Sequence, residues 1–277
     1  MIEKMGWLSE DKKAKFKIET EETPKGDIAL LCPERGIITS LKFCDSDEIL
    51  YMDEETLNNK ELNIKGGIPV LFPNAGPIPD ELKTPEFASL KQHGFARDQK
   101  WNFEETMQES SLILRANSET KKVFPYDFVL SLVNKFEKDG SFTITEQVEN
   151  CEPEREMPIS MGLHPYFKVA NELKKDIKFD FEGGKFIEDN FDKWANGKAV
   201  SLDNPGGSMV VTIPKLGKLT FNISKEFKKI WIWSQTDKDF ICIEPVMRDK
   251  GGLVTDPEMI KPYERFSAKM NISFRKY

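Results

Sequence analysis

The feature that most constrains this chain is a period of two. Apolar and polar residues alternate wherever a period is visible, as in Phe142 and Ile144 with Thr143 and Thr145 between them, and in Phe266, Ala268, Met270, Ile272 and Phe274. Successive strand side chains point to opposite faces, so these runs describe half-buried antiparallel strands. Two runs, from Phe128 to Phe136 and from Phe142 to Val148, flank Asp139-Gly140, a dipeptide suited to the positive φ angles of a tight hairpin. Shorter runs follow at 28–32, 37–43, 112–114, 159–169, 177–181, 209–213, 219–223, 230–233 and 240–243. About a dozen strands bounded by Gly, Pro, Asn and Asp predict an all-β fold, a large antiparallel β-sandwich. Helical periodicity is absent apart from a short turn within 80–89. No linker, low-complexity tract or repeat interrupts the chain, which predicts one domain over 1–277 with residues 1–20 as a peripheral segment.

Charge and motifs exclude several kinds of function. Forty Lys and Arg against 47 Asp and Glu give a net charge of −7, and the lysines are interleaved with acids, which argues against nucleic acid as a partner. No apolar run has the length of a secretory core or a membrane span, so the expected address is the cytoplasm, with no membrane partner. Four cysteines lie far apart with no Cys-x-x-Cys and read as reduced, mostly buried small hydrophobes. The phosphate-cradling glycine motifs are missing, as is Gly-x-Ser-x-Gly. With two histidines, 71 residues apart, and no His-Glu-x-x-His, neither a metal nor a cofactor is expected.

Histidine titrates nearest neutrality, so two imidazoles can each be weighed by their setting. His93 stands in Gln92-His93-Gly94-Phe95-Ala96-Arg97-Asp98. Gly94 allows a sharp turn or a close approach to a ligand, and Arg97 supplies a fork for hydroxyl or phosphate oxygens. The plainer alternative is a loop histidine capped by a carbonyl, with Arg97 paired to Asp98. His164 stands in Met161-Gly162-Leu163-His164-Pro165-Tyr166-Phe167, alternating with Gly162 and Tyr166 on one face. Pro165 bars a continuous central ladder there, which suggests that this face looks into a cleft; the alternative is a satisfied core histidine. Glu244 ends the apolar run Phe240-Ile241-Cys242-Ile243 before Pro245, either at an exposed strand end or held for a purpose, because burying a lone carboxylate is costly.

Taken with Gly66-Gly67-Ile68-Pro69-Val70-Leu71-Phe72-Pro73, these segments resemble the aldose 1-epimerase (galactose mutarotase-like) superfamily, near its hexose-6-phosphate mutarotase branch. The resemblance runs from about residue 25 to the end, and His-Gly-Phe-Ala-Arg is its most specific block. It implies a β-sandwich of the mutarotase kind with a sugar cleft across one sheet, and interconversion of the α and β anomers of a hexose or hexose 6-phosphate. Carried over by motif, Glu244 is the base that takes the anomeric hydroxyl proton and His164 is the acid that protonates the ring oxygen. His93 would bind near that oxygen, and Arg97 and Lys65 would contact hydroxyl or phosphate oxygens. The partner implied is a small sugar or sugar phosphate, and no cofactor is needed. Two positions depart from the pattern. Pro77 stands where some members have a sugar-binding Arg, and Lys65 replaces an Arg before the Gly-Gly pair, keeping charge but losing bidentate geometry. No motif transfers a hydroxyl-binding role to Asp189 or Asp192. The alternatives are a carbohydrate-binding sandwich without catalysis, and a glycoside-processing enzyme, which needs a second carboxylate about 5–9.5 Å from Glu244.

Overall fold

The computed structural model describes residues 16–18, 26–44, 46–106 and 109–276. Most of segment 1–20 lies outside these; within it, Phe16–Ile18 pairs antiparallel with Ile28–Cys32. Two large antiparallel sheets form the body. The outer one has eight strands, ordered Lys178–Asp180, Ser208–Ile213, Gly217–Ile223, Arg265–Arg275, Phe142–Asn150, Phe128–Phe136, Ser110–Arg115 and Asn102–Glu105. The second runs Val200–Asp203, Lys229–Trp233, Phe240–Val246, Gly162–Leu163 and Val70–Leu71, with Tyr166–Lys168 also paired to Phe240–Val246. A three-stranded sheet, Phe16–Ile18, Ile28–Cys32 and Ile37–Lys42, lies beside them.

The alternation in sequence becomes burial. Phe128–Phe136 alternates buried and half-buried residues along its whole length. Its inward side chains join Ile144, Met270, Ile272 and Phe221 in one core with Leu163, Phe167, Ile230, Ile232, Ile241 and Ile243 of the second sheet. Each such aliphatic or aromatic side chain contributes about 1.5–3 kcal/mol of burial. Phe240–Val246 is buried on both faces. Its odd positions, Ile241 and Ile243, enter the core, while Phe240, Cys242, Glu244 and Val246 face the opposite side.

Three expectations are corrected in detail. The Asp139-Gly140 turn is wider than a two-residue hairpin: Glu137 N donates to Ser141 O at 2.7 Å, Gly140 N to Glu137 O at 2.9 Å, and of the pair only Gly140, at φ 79°, is left-handed. This is a type I turn closed by a glycine bulge. The run 159–169 divides into Met157–Ile159, Gly162–Leu163 and Tyr166–Lys168, broken where Pro165 offers no N–H. Glu244 does not end its strand, which continues through Pro245 to Val246. Among the described residues four short α-helices, Glu54–Asn58, Gly184–Asp189, Phe191–Trp194 and Gly252–Thr255, are too brief to show a helical period; the turn expected in 80–89 is a pair of 3-10 turns, Asp80–Leu82 and Pro85–Phe87.

Candidate active site

The candidate residues meet on the face of the second sheet turned away from the core. Gly162 pairs with Val246, and Tyr166 with Cys242. These pairings flank a central position symmetrically and put His164 opposite Glu244. On the other side of the strand, Trp231 pairs with Glu244 and Trp233 with Cys242. The pleat thus lays the imidazole, the carboxylate and the Trp231 indole in one row, with Tyr166, Cys242 and the Trp233 indole in the next, all on one face. Above them opens a cleft of about 460 Å³, within the range of small-molecule sites. All five residues singled out in the sequence, Glu244, His164, His93, Arg97 and Lys65, line it.

His164 and Glu244 are buried, with Nε2 3.5 Å from Oε1. The imidazole stacks on Tyr166 at 4.6 Å and 6° and meets Trp233 edge-on at 5.9 Å, which fixes its plane. Burial raises the Glu244 carboxyl well above its usual value, opposed by the charges of Arg97 and Lys250. Burial, with Arg97 second, depresses His164 to about 3. Both shifts follow from the cost of a lone charge in a dry site. Both shifts favour the uncharged form of each partner.

His93 reaches the same place from a strained loop. His93 and Gly94 are both left-handed, at φ 67° each. A Cβ on Gly94 would lie 1.9 Å from the Phe72 carbonyl oxygen, the atom that accepts the Phe95 N–H at 3.0 Å. The glycine thus serves a close approach of backbone to backbone. His93 Nδ1 accepts the Gly76 N–H at 3.0 Å, so the neutral ring carries its proton on Nε2, which lies 3.0 Å from the Gln92 side-chain amide. Amide oxygen and nitrogen interchange by a flip, and the oxygen accepts this proton. Burial keeps His93 well below its ordinary value, aided by His164, Arg97 and Lys250. Its ring lies 5.3 Å from that of His164. The Nε2–H is engaged by Gln92 at the edge of the cleft and becomes a donor to a ligand by exchanging that partner.

Arg97 does not pair with Asp98, which instead lies 3.5 Å from Arg35. Arg97 Nη2 donates to Asn63 Oδ1 at 2.9 Å, and its buried Nε has no partner. A guanidinium stays charged in proteins, so this cation is hydrogen-bonded by neutral groups, with the acids Asp98 and Glu244 acting on it through space. Arg35 and Trp101 hold the loop beneath: Arg35 Nε and Trp101 Nε1 donate to the carbonyls of Arg97 and Ala96, each at 2.9 Å. Sequence reading missed Arg35, Lys250, Trp231 and Trp233. The two tryptophans carried a signal, since residues two apart on a strand share a face; Arg35 carried none, because its partners, three main-chain carbonyls and the Asp98 carboxylate, lie far along the chain. Lys250 also lines the cleft, and Asp249 beside it accepts from Trp231 Nε1 at 3.0 Å.

Comparison with known proteins bears on the family and the fold. Residues 36–247 match the family model described as aldose 1-epimerase. A Cenchrus ciliaris protein named "Putative glucose-6-phosphate 1-epimerase" is 25% identical, covering 86% of this chain and 78% of its own. Protein LacX (plasmid) of Lactococcus lactis subsp. lactis is 26% identical over 76% of this chain and 81% of its own. Among solved structures, the Slr1438 protein of Synechocystis sp. PCC 6803 superposes with a TM-score of 0.80 at 24% identity, covering 96% of this chain and 97% of that one. A galactose mutarotase related enzyme of Lactobacillus acidophilus gives 0.73 at 20% identity, covering 95% and 97%. With its β-sandwich shared with such structures and most of its length matched by the family model, the chain belongs to the aldose 1-epimerase family and is an isomerase of the epimerase type.

Proposed function

We propose that the protein interconverts the α and β anomers of a hexose 6-phosphate, with Glu244 as base and His164 as acid. The observation that carries this reading is the buried His164–Glu244 pair, 3.5 Å apart at the floor of the cleft. In ring opening, Glu244 takes the proton of the C1 hydroxyl while His164 gives a proton to the ring oxygen. The C1–O bond breaks, leaving an aldehyde at C1 and a hydroxyl at C5. Rotation about C1–C2 presents the other carbonyl face, and closure reverses both transfers. Positioned proton transfer of this kind is worth about 10² to 10⁴ in rate at each step. Opening needs Glu244 ionised and His164 protonated, whereas closure needs the reverse. The two arrangements contain the same single proton, so one buried pair serves both directions without exchange with solvent. His93 Nε2–H donates to the ring or anomeric oxygen, and Trp231 and Trp233 offer flat apolar surface to a sugar ring.

A phosphorylated sugar is favoured over a free one by the cations at the cleft. Lys65, Arg97 and Lys250 line it, and among the described lining residues Glu244 is the sole carboxylate. That absence of a second acid also weighs against glycosidic cleavage, which needs two. The name of the Cenchrus ciliaris relative points the same way. The test is NMR exchange of anomeric protons in glucose, galactose and glucose 6-phosphate. The expected result is fastest exchange with glucose 6-phosphate, and loss of about 10²-fold or more in Glu244→Gln with ligand binding retained. Sugar binding with no acceleration of exchange by the wild type would leave a binding protein without catalysis, and accelerated exchange kept in Glu244→Gln would sink Glu244 as the base.

A further inference from the structure

Cys242 lies at the floor of the cleft and takes no part in the proton chemistry above. It is fully buried, two residues before Glu244 on the same face of its strand, opposite Tyr166 and Trp233. Its Sγ, one imidazole nitrogen of His164 and one carboxylate oxygen of Glu244 all lie within 4.8 Å of one another. We propose that these three side chains form a binding site for a divalent ion of the zinc class, and that the bound ion silences the enzyme by taking its acid and its base as ligands.

The geometry comes first. A tetrahedral zinc ion with bonds of about 2.0–2.2 Å to nitrogen and oxygen sets those two atoms about 3.4 Å apart. The His164 Nε2 to Glu244 Oε1 distance is 3.5 Å. With a bond of about 2.3 Å to sulfur, the edge to nitrogen is about 3.6 Å, so Sγ needs to move by little more than about 1 Å, within reach of a side-chain adjustment. The fourth position then opens toward the cleft, where water or a sugar oxygen would stand.

The donor set decides which ion. One imidazole, one thiolate and one carboxylate are ligands of a borderline-soft ion; calcium and magnesium want six or more oxygens or a near-ideal octahedron, which this corner does not offer. Charge agrees, since thiolate and carboxylate together neutralise a divalent ion and the assembly enters a dry site without net charge. Arg97 and Lys250 oppose the approach of a cation electrostatically, which limits affinity. Binding displaces the thiol proton and the single proton of the His164–Glu244 pair to solvent, while the metal–sulfur, metal–nitrogen and metal–oxygen bonds form.

The inhibitory half of the proposal rests on the epimerase reading, whereas the binding half does not, and the experiment separates them. The full-length, metal-free protein is titrated with Co²⁺ and followed by absorption. The expected result is a thiolate-to-cobalt charge-transfer band with the intense visible bands of a four-coordinate site, saturating at one ion per chain, abolished by Zn²⁺ and absent in Cys242→Ser. Zn²⁺ binding measured by competition is expected to weaken at least about 10-fold in Cys242→Ser and in Glu244→Gln. A wild-type spectrum lacking the charge-transfer band overturns the site, and this arm does not depend on any variant folding. A band that persists in Cys242→Ser, arising from another cysteine, overturns it equally. In the activity arm, Zn²⁺ is expected to stop anomer exchange and a chelator to restore it. Cobalt binding with exchange unaffected by Zn²⁺ overturns the inhibition, while metal-free protein with no exchange at all strikes the epimerase reading and leaves the spectroscopic result standing.

Discussion

At the scale of single residues, two buried glutamates show how differently the same environment can be used. Glu244 has His164 beside it and a cleft above it. Its raised carboxyl and the His164 value of about 3 bound a broad range of pH over which the pair keeps one proton. The second proton is added only near the depressed imidazole value, and the last is lost only above the raised carboxyl value. The expected pH profile of kcat/KM for glucose, which has no group titrating in this range, is therefore flat on acidification through 6.5, the ordinary histidine value. An acid limb centred at 6.5 would contradict the pairing. Glu146 has no such partner: it is fully buried, both carboxylate oxygens lack hydrogen bonds, and it lies opposite Leu132 and Ala268. Burial raises it well above 4.5. A raised carboxyl makes the folded state bind the extra proton, so stability falls as pH rises above 4.5 toward the raised folded-state value. Replacing Glu146 with Leu is expected to stabilise the protein by roughly 1–3 kcal/mol at mildly alkaline pH, and by less below 4.5, in denaturant unfolding followed by fluorescence. At this scale the site was legible through scarce residue types, two histidines and a carboxylate in an apolar strand. Lys250 and Arg35 were not legible, since nothing local sets one Lys or Arg apart from the others.

At the scale of elements, the loop from Gln92 to Asp98 depends on one contact that no side chain can enter. Gly94→Ala would force a left-handed alanine against the Phe72 carbonyl. The expected cost is roughly 2–4 kcal/mol. Because the loop carries both His93 and Arg97, kcat/KM should fall in the same variant even below its melting temperature, as thermal unfolding and NMR exchange measured together would show. A variant that lost stability alone would mean that the loop's shape does not set the site. The strands themselves were readable wherever one face is wet. Phe128–Phe136 and Phe142–Asn150 announce themselves by alternation, and their shared turn was placed correctly though drawn too short. Phe240–Val246 was cut short because Pro245 follows Glu244 and because both faces are buried, which erases the period. The short helices escaped for a simpler reason, since four to six residues do not complete two turns.

At the scale of the whole molecule, charge is unevenly placed. The chain carries −7 overall, yet Lys65, Arg97 and Lys250 meet at the cleft. A local positive field in an acidic molecule draws in an anion and is screened by salt, with a Debye length of about 10 Å at 0.1 M and about 3 Å at 1 M. Raising ionic strength is expected to increase KM for glucose 6-phosphate several-fold and to leave KM for glucose unchanged. Equal salt dependence for the two sugars would remove the electrostatic argument for a phosphate. The sandwich architecture was legible from strand count and turn residues, whereas the meeting of residues 65, 97 and 250 was not, because it exists only once the two sheets and their loops close on one another.

The burial of Phe240–Val246 on both faces gives this strand a double inheritance. Ile241 and Ile243 answer to the core, while Cys242 and Glu244 face the cleft side of the sheet, and the pleat keeps the two sets apart. A lineage can therefore exchange what lies at 242 and 244, along with 164 and 231 beside them, and try new reactions without renegotiating the interior. Insertion or loss of a single residue in the strand is the change that such a lineage cannot survive, since it would hand the Glu244 carboxylate to the core and an isoleucine to the cleft.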